Sequence, residues 1–254
     1  MADVDPAAAG DQLFSGNQLL STFDADARAL LGSVGEPIDL KPGDIVLTRG
    51  EEVRFSVFPI GETMISMAVE LSGGRTVEVA SVGREGAVGG IVSCGFAPAF
   101  ARAACLVGGK AYRVPMNLLE HAKSESQFIG NLFCRFSDFL LAQVMQSVAC
   151  HAFHSIPERA ARWLLHAQDR TGDRIELTQE AFAGLLGVQR TTVNAVIKEL
   201  SSEGLVVTGR GTIRVTNRDG LERRSCECYA RLGDHFGKVI GATGSGVRPA
   251  PQCD

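Results

Sequence analysis

Between Thr178 and Leu200 the chain reads TQEAFAGLLGVQRTTVNAVIKEL, and its apolar positions fall three and four apart on either side of one glycine. Phe182, Leu185 and Leu186 make the buried side of a first helix, and Val193, Val196, Ile197 and Leu200 that of a second. Thr178 suits the N-cap of the first, with Gln179 and Glu180 in its opening turn. Gly187 permits a tight turn between the helices, and Val188 plugs the angle. Polar residues gather in the first two turns of the second helix: Gln189, Arg190, Thr191, Thr192, Asn194 and, a turn on, Lys198. That is the pattern of a helix-turn-helix, whose second helix offers its N-terminal side chains to base edges. Arg can bond a guanine in bidentate fashion, Asn or Gln an adenine, while Thr and Lys can hold phosphates. EGLVVTGRGTIRVTN follows and predicts two short strands around Arg210. This is either a wing whose tip touches the DNA backbone or a cap on the helix core with a solvated arginine.

Upstream, the period changes to two. From Glu36 to Val114 short β-prone runs (DIVLTRG, VRFSVFP, MISMAVEL, TVEVASV, FARAACLV) recur between Gly and Pro. Ile65, Met67, Val69 and Leu71 alternate with smaller or polar residues, and Val77, Val79 and Val82 follow the SGGR turn, so the pair reads as a hairpin. Several hairpins at this spacing predict a small antiparallel barrel or jelly roll. Residues 1–17 lack pattern and are expected to be mobile; helical character begins near Leu19. After Pro115 the β pattern stops. Leu132, Phe136, Phe139, Leu140, Val144, Met145 and Val148 then form a long helical stripe, either a dimer contact or a face packed on its own domain. HSIPER opens a further helix, with Ser155 as cap, Pro157 in the first turn and Glu158 at the positive end of the dipole. That helix stops around Thr171 and Gly172. The class predicted is α+β: a jelly-roll sensor domain over 18–124, a dimerisation helix over 125–154, and a winged helix-turn-helix over 155–218. A C-terminal extension and mobile tail fill 219–254.

A net charge of −4 over 254 residues argues against a nucleic-acid binder until it is resolved along the chain. Residues 1–154 hold 11 Lys and Arg against 17 Asp and Glu, residues 155–218 hold 9 against 7, and the remainder 5 against 5. An acidic front half joined to a mildly basic segment fits a sensor joined to a reader. No run of 18 apolar residues occurs, and the acidic start MADVDPAAAGDQLF is no secretory signal, so a cytoplasmic location is expected. Seven scattered cysteines, an odd number, read as reduced thiols.

With VFPIGE (57–62), GREGAVGG (83–90), RAARWLL (159–165) and LTQEAFAGLLGVQRTTV (177–193), the chain resembles the Crp/Fnr superfamily of bacterial transcription regulators over roughly residues 19–218. The resemblance implies a cyclic-nucleotide-binding-like barrel, a long dimerisation helix and a winged helix-turn-helix. It also implies a homodimer on a roughly palindromic double-stranded DNA site, with RNA polymerase as a further partner. DNA-contacting positions are expected at Thr178, Gln179, Gln189, Arg190, Thr191, Thr192, Asn194, Lys198 and Arg210. Arg190 matches the family's base-reading arginine, while Ala195 stands where the cAMP-responsive members carry a second one. Members that bind cyclic AMP hold its ribose with a Glu where this chain has Gly90, and its phosphate with an Arg absent from Pro98 to Phe100. Glu85 and Arg102 lie out of register as substitutes, so control by cyclic AMP is not expected and no cofactor is assigned. The N-terminal cysteine group that holds an iron–sulfur cluster in some members is also lacking, since the first cysteine is Cys94.

Two cysteine motifs stay outside that reading. CHAFH puts Cys150 and His154 on one helical face, as a metal pair or as a buried thiol beside a hydrogen-bonded imidazole. CEC places Cys226 and Cys228 in the extension, for redox or metal chemistry or for packing against the DNA-binding domain. A thiol hydrolase built on Cys150 with His154 or His151 is the enzyme alternative. It lacks an adjacent orienting carboxylate and an oxyanion loop, and no enzyme is expected.

Overall fold

The computed structural model describes residues 14–23, 25–91 and 97–241. The expectations for residues 1–13 and for the tail beyond 241, with Cys94 and Cys253, lie outside the described residues. Two short helices, α1 (Gln18–Ser21) and α2 (Ala25–Gly32), precede the strands. Phe14 and Asn17 are buried, in contrast to the mobile stretch expected there. The reason is Asn17, whose amide donates to the carbonyls of Pro59 and Gly86 while its oxygen accepts from the Leu20 amide.

Seven strands follow: β1 (Glu36–Leu40), β2 (Ile45–Leu47), β3 (Phe55–Pro59), β4 (Met64–Glu70), β5 (Thr76–Val82), β6 (Arg102–Val107) and β7 (Gly109–Pro115). They make two antiparallel sheets, β1-β7-β3 and β2-β6-β4-β5. The expected hairpin is β4–β5, paired from Ile65 opposite Val82 to Glu70 opposite Thr76 with a register shift between Met67 and Ala68. Its alternation holds only in part. Ile65 and Val82 face the barrel core, but Met64, Ser66 and Glu78 on the opposite face are buried too, and Leu71 is exposed. The opposite face is covered by the C-terminal domain, so this sheet has two interiors.

GREGAVGG is a packing loop. A Cβ on Gly86 would stand 2.0 Å from the Phe136 ring, one on Gly83 2.7 Å from Arg170, and one on Gly90 2.3 Å from the end of Met116. Only glycine lets these neighbours approach so closely.

After α3 (Met116–Glu125), the Ser126 hydroxyl caps α4 (Gln127–Phe153), a helix of 27 residues. Its first half buries Ile129, Leu132, Phe133, Phe136, Phe139 and Leu140 in the barrel core. Phe136 therefore belongs to the protein's own interior, a correction to its place on a dimer stripe. The second half leaves Leu141, Met145, Val148 and Phe153 56%, 58%, 67% and 84% exposed.

The C-terminal domain comprises α5 (Ile156–Thr171), β8 (Arg174–Glu176), α6 (Gln179–Leu186), α7 (Arg190–Ser202), β9 (Val206–Gly209), β10 (Thr212–Val215) and α8 (Arg218–Arg224). The Glu158 carboxylate accepts from the backbone amide and hydroxyl of Ser155 and so fixes the start of α5. Trp163, Phe182, Val193, Ile197, Leu200 and Ile213 form the core here, and Met64 of the barrel joins it. The last helix, α9 (Cys228–Ile240), was expected to pack with the DNA-binding domain. It instead runs antiparallel along α4, with Cys228 beside Gln146, His235 beside Asp138, and Phe236 against Phe139 at a centroid distance of 5.0 Å. Its apolar side, Leu232, Phe236 and Ile240, explains the choice: α4 and the barrel core present aromatic surface to it. The expectation holds for α8, through Leu221, and for the first turn of α9, where Tyr229 packs on the same core and its hydroxyl donates to Asp169 at 2.8 Å.

Candidate nucleic-acid interface

Local chemistry sets the helix pair. The Thr178 hydroxyl accepts from the Ala181 amide at 3.1 Å and starts α6. Gly187 ends it in the left-handed region (φ 66), donating to the carbonyls of Ala183 and Gly184. Val193, Val196, Ile197 and Leu200 bury one side of α7, which turns Gln189, Arg190, Thr191, Asn194 and Lys198 to solvent. Thr192 is half-buried, so it faces back toward the domain more than its neighbours do.

Strands β8, β10 and β9 make the three-stranded wing sheet, with Thr212 opposite Gly209 and Arg210 exposed at the turn. Thr178, Gln179 and Arg190 share an open cleft with Thr208, Gly211 and Thr212 of the wing. Arg190 lies 3.8 Å from Glu180, an exposed pair that holds its guanidinium only weakly.

The reading domain is docked on the barrel through β5. Trp163 Nε1 donates to Glu78 at 2.7 Å, and the Ser66 hydroxyl donates to the other carboxylate oxygen at 2.6 Å. Burial pushes the Glu78 carboxyl up, and these two hydrogen bonds only partly offset it. Seven residues on, Glu85 meets Arg170, whose Nε and Nη2 donate to one carboxylate oxygen at 2.8 and 2.6 Å. Burial works against the Glu85 charge, but the Arg170 guanidinium holds its carboxyl below the usual range. Arg102 lies 4.0 Å from Glu70 on β4 in an exposed, weak pair, whereas Glu85 is taken up by Arg170. The turn of the helix pair touches the same strand: a Cβ on Gly187 would lie 3.1 Å from Val77.

At the far end of α4 the two cysteine motifs meet. Cys150, His154, Cys226 and Cys228 bring one sulfur or nitrogen each to within 4.8 Å of one another. The Cys226 hydrogen bond, aided by the Arg162 charge, lowers the Cys150 thiol to about 5, whereas Cys226 itself is pushed up. His151 turns away, its Nδ1 2.6 Å from the Ser147 carbonyl. Cys150 is fully buried, unlike the accessible nucleophile a thiol hydrolase needs. Each motif is visible in the sequence; their meeting, 76 residues apart, depends on the return of α9 and carries no local signal.

Residues 158–224 match the family model of the Crp-like helix-turn-helix domain. The HTH-type transcriptional regulator Cmr of Mycobacterium tuberculosis is 34% identical over 70 residues. That match covers 28% of this chain and 28% of the relative's length. Among solved structures, FixK2 from Bradyrhizobium japonicum superposes with a TM-score of 0.66 at 17% identity, over 76% of this chain and 98% of that one. Barrel, long helix and reading domain are thus shared as one architecture. The chain carries a Crp-like helix-turn-helix domain and has the fold of FixK2. The global regulator CLP of Xanthomonas campestris, described as responsive to c-di-GMP, has the same fold, with a TM-score of 0.61 at 15% identity over 76% and 99% of the two chains. At Gly90, where the cyclic-AMP pattern has a Glu, the Met116 side chain fills the space a larger residue would need.

Proposed function

We propose that this chain is a sequence-specific DNA-binding transcription regulator of the Crp/Fnr type that acts as a homodimer. The observation that carries the reading is the outward polar face of α7 beside the wing, on a domain matched to the Crp-like helix-turn-helix. Arg190 reads a guanine, Gln189 and Asn194 read adenine edges, and Thr191, Thr192 and Lys198 hold the flanking phosphates. Thr178 and Gln179 at the start of α6, and Arg210 on the wing, grip the backbone on either side.

The partner copy is met along α4. Cys134, Asp138, Leu141, Met145, Val148 and Ala152 are all exposed and spaced four, three, four, three and four apart, the seam of a two-stranded coiled coil. Pairing there places two copies of α7 in successive major grooves, about 34 Å apart, on a roughly palindromic site. Among the described residues no helix is long and apolar enough to cross a membrane. The reading places the protein in the cytoplasm, where RNA polymerase is a further partner, and assigns it no catalytic step and no dependence on cyclic AMP.

Selection of bound sequences from a random DNA pool, with reduced protein and no added ligand, is expected to yield a palindromic motif. Arg190→Ala should then weaken binding to that motif by about 1–3 kcal/mol and relax one base position. An unchanged base preference in the variant would remove Arg190 from base reading.

A further inference from the structure

The Cys150–His154 end of α4 and the Cys-Glu-Cys of the extension make a closed four-donor site, three sulfurs and one imidazole, at the joint between the long helix and the reading domain. Cys150 and Cys226 sulfurs lie 3.6 Å apart, and Cys228 sulfur lies 3.4 Å from His154 Nδ1. Ligands around one tetrahedral zinc, at bonds of about 2.0–2.3 Å, stand about 3.3–3.8 Å from each other. Two of the donor pairs therefore already stand at the spacing of a single ion, and all four donors lie within 4.8 Å of one another. An iron–sulfur cluster distributes its thiolates over several irons, and four donors within 4.8 Å leave no room for that.

The surroundings of the four donors point the same way. His154 presents Nδ1 to the sulfurs while its Nε2 lies 3.1 Å from the Glu227 carboxylate. That is the carboxylate–imidazole–metal relay in which the acid takes the outer N–H and aims the inner nitrogen at the ion. Gln146 Nε2 donates to Cys228 sulfur at 2.9 Å, a bond that favours a thiolate over a thiol. Three thiolates around a divalent ion leave one negative charge. Cys150, Cys226 and Cys228 form a small buried cluster of their own, shut off from bulk water.

We propose that Cys150, His154, Cys226 and Cys228 bind one zinc ion, with Glu227 positioning the histidine. Thiolate and imidazole donors in tetrahedral array select this class of metal, and four protein ligands leave it no open position for catalysis. Binding replaces the thiol protons, which pass to solvent, and no electron is transferred. The ion clamps the start of α9 to the last turn of α4, next to the Ser155 cap where α5 begins. Metal occupancy therefore sets how firmly the reading domain is held to the long helix.

The test uses the full-length protein, reduced, stripped with chelator and then titrated with Zn2+ in competition with a chromophoric chelator. One zinc per chain is expected, and Co2+ in its place should give the intense ligand-field bands of a tetrahedral ion with thiolate-to-cobalt charge transfer. Cys226→Ser should abolish stoichiometric binding, and Cys134→Ser, on the proposed dimer seam and not among the four donors, should leave the zinc stoichiometry unchanged. Glu227→Gln, which keeps all four ligands, should weaken zinc affinity about 10–100-fold. Iron with acid-labile sulfide, a Cys150–Cys226 disulfide in the freshly isolated protein, or all seven thiols staying free at saturating zinc would each overturn the proposal. Metal content is read without DNA, so a failure here leaves the DNA-binding reading standing, and the converse also holds.

Discussion

Gly187 does two things with one missing side chain: it takes the left-handed turn (φ 66) and it lets Val77 of β5 come close. Gly187→Ala should cost about 1–3 kcal/mol of stability, read as a lower denaturant midpoint, because the turn is strained for any other residue. Trp163→Phe removes the donor to Glu78 and leaves a buried carboxylate oxygen short of a partner, at a cost of about 1–3 kcal/mol in the same assay. His166 supplies a pH dependence. Burial, with Arg162, Arg170 and Arg218 nearby, holds its imidazole well below its ordinary value of 6.5. The unfolded chain thus takes up a proton that the folded one refuses, and stability should decline as pH falls below about 6.5. Glu85 adds a loss at lower pH, since its depressed carboxyl stabilises the fold above the unfolded value of 4.5 and ceases to as pH drops through its folded one. His166→Gln should flatten the upper part of that profile in chemical denaturation at stepped pH.

At the scale of elements, α4 divides its length between two tasks. Phe136→Glu should unfold the barrel, since that ring is buried against Gly86, whereas Met145→Glu should yield a folded protein of half the mass by light scattering. A folded Met145→Glu dimer would move the interface elsewhere. The helix pair was legible residue by residue because its core repeats every three or four positions and its caps, Thr178 and Gly187, are local. The stripe on α4 was legible as apolar but not as divided, because periodicity does not say which partner covers a face. Glu78 was illegible for the related reason that an acidic residue on a half-buried strand reads as solvent-facing. Only the domain packed over β5, which brings Trp163 to one carboxylate oxygen while Ser66 of the neighbouring β4 bonds the other, makes that position interior. The pairing of the two cysteine motifs waited likewise on the direction of α9, which its own sequence does not declare.

For the whole molecule, the barrel and the reading domain are joined by more than the linker at Ser155. The Glu85–Arg170 pair is buried, and removing one partner leaves the other charge uncompensated. Glu85→Gln should therefore cost about 3–5 kcal/mol, visible as a broadened or split unfolding transition if the two domains then melt apart. Any signal that reorders the barrel at β5 acts on α5 and on the helix-pair turn at once, because Glu78, Glu85 and Val77 all lie on that strand or the loop after it. The chain contains a single tryptophan, and it is the one that spans this contact. Its indole emission is thus a built-in gauge of domain separation: unlabelled protein should glow at longer wavelength once water reaches the ring, and ligands of the barrel can be screened by that colour change alone.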